Sequence, residues 1–165
     1  MVFALAAQGY DMQKAAVYGN TLGGISIIIG ALATWIGGKL SDVYGRTVMI
    51  LVFLAGSTIC SLCIGWMVYV PVSLLTVVVI VYGFLVVGDS PILTATVADL
   101  AEPEIMGFTL GIQSVVGYGI TIISPAVFGM VLDTTQSWGW AFTSLGLGAF
   151  LGVVALLFFR HAVHI

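Results

Sequence analysis

Asp89 is the residue whose chemistry most needs an explanation. It lies in "GFLVVGDSPILTATVADL", inside an apolar run from Val72 to Leu100 that is long enough to cross a bilayer, and close to the middle of that run. An ionised Asp at bilayer mid-depth costs about 2.5–3.5 kcal/mol on insertion scales, so such a group faces protein or a wet cavity. Tyr82, Asp89 and Thr96 are spaced by seven and share one helical stripe, with Ser90 and Thr94 beside it. Pro91 has no N–H, which leaves the carbonyl of Val87 without its helical donor. A carboxylate beside an opened backbone can hold a proton, a cation or a polar group of a solute. The plainer alternative is a structural hydrogen bond from Asp89 to a neighbouring helix.

Two other sets of polar residues fall on apolar helices. Gln113, Gly117, Thr121 and Ser124 share one face of a later run, and Gly107, Gly111, Tyr118, Pro125 and Gly129 share another. Gln113 is the better candidate of these for solute contact, and the Ser124-Pro125 step predicts a bend. Asn20 and Thr21 lie in the outer part of the first long run. That run also carries a stripe of small residues, Gly19, Gly23, Ser26, Gly30, Thr34 and Gly37, which suits close helix–helix packing.

A third set is "GGKLSDVYGR", residues 37–46, which concentrates Lys39, Asp42 and Arg46 between two apolar runs. This reads as a short turn. Gly37 and Gly38 let the chain leave one helix and approach another backbone closely. Asp42 suits the positive end of a helix dipole, Gly45 permits a tight turn, and Arg46 can fork onto a carboxylate or onto helix-end carbonyls. Such a turn can latch two bundles together on one face of a membrane.

These residues need elements to hold them. The chain has 165 residues, 61% hydrophobic and 7% charged, with a mean hydropathy of +1.21. Soluble domains carry about 25% charged residues, so too little polar surface is present to cover a globule in water. The expected fold is all-α: a polytopic membrane bundle of five transmembrane helices, at about 15–37, 47–69, 72–100, 105–132 and 138–159, preceded by a short N-terminal helix stub. The alternation of a membrane barrel is missing. "MVFALAAQ" lacks a basic leader and reads as the tail of a helix rather than a signal peptide.

Charge placement orients the spans. Lys39, Asp42 and Arg46, then Asp99, Glu102 and Glu104, then Arg160, His161 and His164 fall on one side; Asp11, Lys14 and Asp133 fall on the other. The positive-inside rule makes the first side, and the C-terminus, cytoplasmic, in an inner or plasma membrane. Trp66, Tyr69, Trp138 and Trp140 then occupy belt positions at the outer interface. The acidic turn reads as solvated loop charge, and the two His as tail residues. Cys60 and Cys63 read as small packing residues in an apolar run. No basic run points to nucleic acid. No nucleophile–base pair or metal-ligand set points to an enzyme, a metal or a cofactor.

The loop at 37–46 resembles the signature G-x-x-x-D-x-x-G-R of the major facilitator superfamily, with Gly38, Asp42, Gly45 and Arg46 in its four fixed positions. Val43 and Thr47 replace the basic residues of the fuller pattern, as is typical of the second copy of this loop. The stretch from Gly88 to Asp133, followed by "WGWAF", resembles the tenth and eleventh spans of that family and the start of its twelfth. The resemblance implies that the stub ends a seventh span and that the chain is the C-terminal half of a transporter, lacking its amino half. It implies a secondary carrier for a small solute, working by alternating access, with proton coupling through Asp89 as an option. Its partners would be the solute, protons, lipid, and either the missing half or a second membrane subunit. The alternatives are a truncated protein that transports nothing and associates with a full transporter or regulates it, and a half-size homodimerising carrier.

Overall fold

In the computed structural model the chain is helical throughout, with short breaks. The structure describes the backbone of residues 1–163 and the side chains of residues 1–158, so the expectations for Arg160, His161 and His164 fall outside the described residues. The elements are α1 (Val2–Ala7), α2 (Met12–Tyr44), α3 (Arg46–Ile64), α4 (Val72–Gly88), α5 (Ser90–Leu100), α6 (Met106–Thr135) and α7 (Trp138–Val163). Five stretches are long and apolar enough to cross a membrane, with α4 and α5 together forming one of them. An all-helical bundle is the expected outcome where no water is present to satisfy free backbone groups.

The helices form two layers. α3 and α7 pack along each other behind α4, while α2, α4–α5 and α6 make the front. Contacts run in register along these pairs. Gly30 of α2 meets Val87, and Gly37 meets Gly88 and Ile92; on the rear face, Gly146 and Gly152 of α7 meet Leu62 and Leu54 of α3. Ser61, buried on α3, donates to the backbone carbonyl of Phe142 at 3.0 Å. Met49, Ile50, Phe53 and Ile92 form one buried cluster, and Ala4, Ile64 and Leu75 form another near the tryptophan end. There Phe3 packs on Trp138 and Phe128 on Phe142, with ring centroids 5.3 and 5.2 Å apart. Gln8 donates to the carbonyls of Val68 and Val70, tying the α1–α2 turn to the α3–α4 connection.

The first long helix overruns its expected end. α2 continues through Gly37 and Gly38 to Tyr44, so the predicted turn shrinks to Gly45 alone. The apolar signal does stop near residue 37, because Lys39 and Asp42 follow. Polarity marks where lipid ends, whereas backbone hydrogen bonding marks where a helix ends, and nothing before Gly45 interrupts the latter. At about 1.5 Å per residue a 33-residue helix is roughly 50 Å long, beyond the ~30 Å hydrocarbon core. The charged Lys39 and Asp42 fall in its final turns. Lys39 lies 4.0 Å over the ring of Trp35 there. Gly45 sits at φ +90°, ψ 141°, a conformation open only to glycine.

The second difference is in the third span. It breaks at Asp89 into α4 and α5, one residue ahead of Ser90 and two ahead of Pro91, where Pro91 supplies no N–H to the Val87 carbonyl. Asp89 keeps near-helical angles, φ −79° and ψ −33°, so the two pieces stay roughly in line. By contrast α6 is continuous through Pro125.

Candidate functional site

The break at Asp89 is fixed from behind. Gly88 lies against Gly37 of α2, its carbonyl 3.0 Å from where a Cβ on Gly37 would stand. On its other side the ring of Phe53 fills the space a side chain at Gly88 would need. Phe53 is buried and stacks on Phe84 at 5.7 Å. Three helices thus meet at a point where only glycine fits, and the next residue is the carboxylate.

In front of that point runs a string of polar contacts. The Ser90 hydroxyl donates to Asp89 Oδ1 at 3.3 Å, and the Thr94 hydroxyl donates to the Ser90 carbonyl at 3.0 Å. Gln113 Nε2 of α6 donates to Thr94 Oγ1 at 3.3 Å. Asp89 is half-buried; Ser90 and Thr94 are exposed. Gln113 Oε1 is buried at the α5–α6 seam without a partner among the described residues. The string bridges two helices and faces the front of the bundle, where Gly117 and Thr121 of α6 also lie exposed.

Asp89, Ser90 and Gln113 are thus brought together, with Thr94 as the joining residue. Three other candidates are not part of the string. Tyr82 packs against the Ile64–Leu75 cluster and borders an apolar cavity of about 230 Å³ with Phe3, Val79, Trp138 and Phe142. The seven-residue stripe does put it on the Asp89 face, but seven residues are also about 10 Å of helix axis, which carries its ring toward the tryptophan end. Thr96 turns its hydroxyl back to the Ile92 carbonyl at 2.8 Å. Asn20 is exposed on α2, well toward the tryptophan end.

At the opposite end, Arg46 opens α3 and its Nη2 lies 2.8 Å from Asp99 Oδ2 at the end of α5, the single ion pair among the described residues. Asp42 does not cap the start of α3, and it is exposed in the last turn of α2. The overrun of α2 accounts for this, since Asp42 sits near the negative end of its own helix rather than in a free loop. Asp99 is thus paired with Arg46 while still solvent-exposed, a pairing that its acidic neighbourhood does not suggest. The usable signal in the sequence is that Arg46 and Asp99 both end spans on the same side, within a chain that has few charges. No group of three or more potential metal ligands gathers among the described residues.

A family model described as Major Facilitator Superfamily matches residues 1–164. The chain belongs to the major facilitator superfamily. Comparison with curated proteins and with solved structures gives no match. Membership makes this a multi-pass membrane protein of the transporter type, with a small-molecule solute and lipid as its partners. In a superfamily carrier the solute must cross through protein, and Asp89 of this string is the charged residue nearest the middle of a span.

Proposed function

We propose that this chain forms one wall of a secondary carrier that moves a small solute by alternating access, with Asp89, Ser90, Thr94 and Gln113 contacting the solute or the coupling proton. The observation that carries this reading is the polar string itself. It crosses from α5 to α6 at a proline-opened break and faces the unpacked front of the bundle. A merely structural Asp89 would be expected to pair into a neighbouring helix, whereas its only side-chain partner among the described residues is the adjacent Ser90.

The chain corresponds to the C-terminal half of such a carrier, and the opposite wall comes from further spans or from a second membrane subunit. Its C-terminus is cytoplasmic, because Lys39 and Arg46 share an end away from Lys14. The Arg46–Asp99 pair joins α3 to α5 at that end and holds one state of the cycle. The test is transport by membranes carrying the protein. Asp89→Asn abolishes coupled uptake or export while the protein remains folded and inserted; full transport by that variant removes Asp89 from the mechanism.

A second reading is favoured by α6, which has no buried residue along its length. That face suits association with another membrane protein, as a regulatory partner or as half of a homodimer. A chain that transports nothing by itself and migrates only with a separate carrier would select it.

A further inference from the structure

The serine and threonine hydroxyls of α5 and α6 have spent their hydrogens. Thr94 donates to the Ser90 carbonyl at 3.0 Å, Ser114 to Leu110 at 2.9 Å, and Thr121 to Gly117 at 3.0 Å, each one helical turn back. Ser90 donates to the Asp89 carboxylate. What such hydroxyls offer outward are lone pairs. An ionised carboxylate is an acceptor only, with about four lone-pair sites, and at least one of those on Asp89 is taken. Gln113 uses one N–H on Thr94, which leaves one amide hydrogen as the wall's spare donor in the string.

The charge census points the same way. The four Lys and Arg residues are Lys14, Lys39, Arg46 and Arg160, so no cation occurs in the sequence between Arg46 and Arg160. That interval includes all of α4, α5 and α6. Arg46 is taken up by Asp99 at the far end of α5. Lys39 of α2 lies over the Trp35 ring, and no ion pair reaches Asp89 among the described residues.

We propose that the wall around Asp89 receives the cationic head group of an organic amine: an ammonium seated on the Asp89 carboxylate, its remaining N–H groups directed at the Ser90 and Thr94 oxygens. This inference rests on the reading of that wall as the solute contact. An ammonium has three donors and no acceptor, the complement of what the wall presents. A carboxylate or phosphate solute would meet like charge and one spare amide hydrogen. The exposed side chains of Val86 and Leu93, flanking the break, offer the amine's carbon skeleton an apolar bed rather than the all-oxygen cage a hard metal ion takes.

The experiment is a thermal-shift titration of the full chain in detergent micelles with three solutes of one shape: benzylammonium, benzoate and benzyl alcohol. Sodium chloride at equal ionic strength is the fourth arm. We expect benzylammonium to bind at least tenfold more tightly than either isostere. Asp89→Asn weakens it at least tenfold and Asp89→Glu, which keeps the charge, restores most of it. Benzoate or benzyl alcohol binding as tightly as the amine overturns the cationic assignment, and if that binding is still lost in Asp89→Asn the solute-contact reading survives. Sodium stabilising the protein in place of the amine overturns the organic assignment. Binding of none of the four, or binding indifferent to Asp89→Asn, overturns both.

Discussion

Gly88→Ala places a methyl group where the Phe53 ring already stands, with Cδ1 2.7 Å and Cζ 3.0 Å from the new Cβ. The ring cannot swing away cheaply. Phe53 is 2% exposed, stacked on Phe84, and packed with Met49, Ile50 and Ile92. Overpacking of this kind costs about 1–3 kcal/mol, against a helix-propensity gain of about 0.5–1 kcal/mol for replacing glycine by alanine. The net expectation is a loss of about 1–2 kcal/mol. The control is Gly38→Ala, also helical, where nothing lies within 4 Å of the new Cβ; it is neutral or stabilising by up to about 1 kcal/mol. Equilibrium unfolding in mixed micelles with increasing denaturing detergent reads both. In the double variant Gly88→Ala with Phe53→Leu, the smaller side chain admits the methyl group, and the two changes couple favourably by about 1 kcal/mol. The reasoning is refuted if Gly88→Ala is as harmless as Gly38→Ala, or if its cost is undiminished in the Phe53→Leu background.

Asp89→Asn, as above, is expected to stop coupled transport without loss of folded protein. Arg46 and Asp99 are 30% and 58% exposed, so a double-variant cycle with Arg46→Gln and Asp99→Asn is expected to give a coupling of only about 0.5–1 kcal/mol, shrinking as salt is raised. Gly45→Ala forces a side chain into the φ +90°, ψ 141° region and is expected to cost about 1–3 kcal/mol in the same unfolding assay, whereas Gly38→Ala is not. Pro91→Ala returns an N–H to the Val87 carbonyl; thermal stability is expected to rise by an amount equivalent to about 0.5–1.5 kcal/mol, and transport to fall as the break at Asp89 closes.

Much of the bundle could be read from apolar run length, since lipid dictates both the length of a span and its helical state. The break near Asp89 was also legible from Pro91, which removes a backbone donor, although the same loss at Pro125 leaves α6 unbroken. Helix ends were less so. Gly37 and Gly38 carry the same turn signal, yet Gly37 serves close contact with Gly88, and α2 runs on past both. In a membrane a run of glycines marks tight packing as often as it marks a stop. Of the candidate site, the pairing of Asp89 with Ser90 follows from adjacency, but the bridge from Thr94 to Gln113 joins residues nineteen apart on different helices. That bridge depends on how α6 rotates against α5, which no spacing rule supplies. The seven-residue stripe likewise placed Tyr82 beside Asp89 in angle and ignored distance along the axis.

Gly45 is the entire connection between a 33-residue helix and a 19-residue one. A hinge of one residue stores no slack. If the end of α2 shifts by a few ångströms during a transport cycle, the first turn of α3 travels with it, and so does the α7 surface that α3 grips along its length. The rear layer is in this sense geared to the front one.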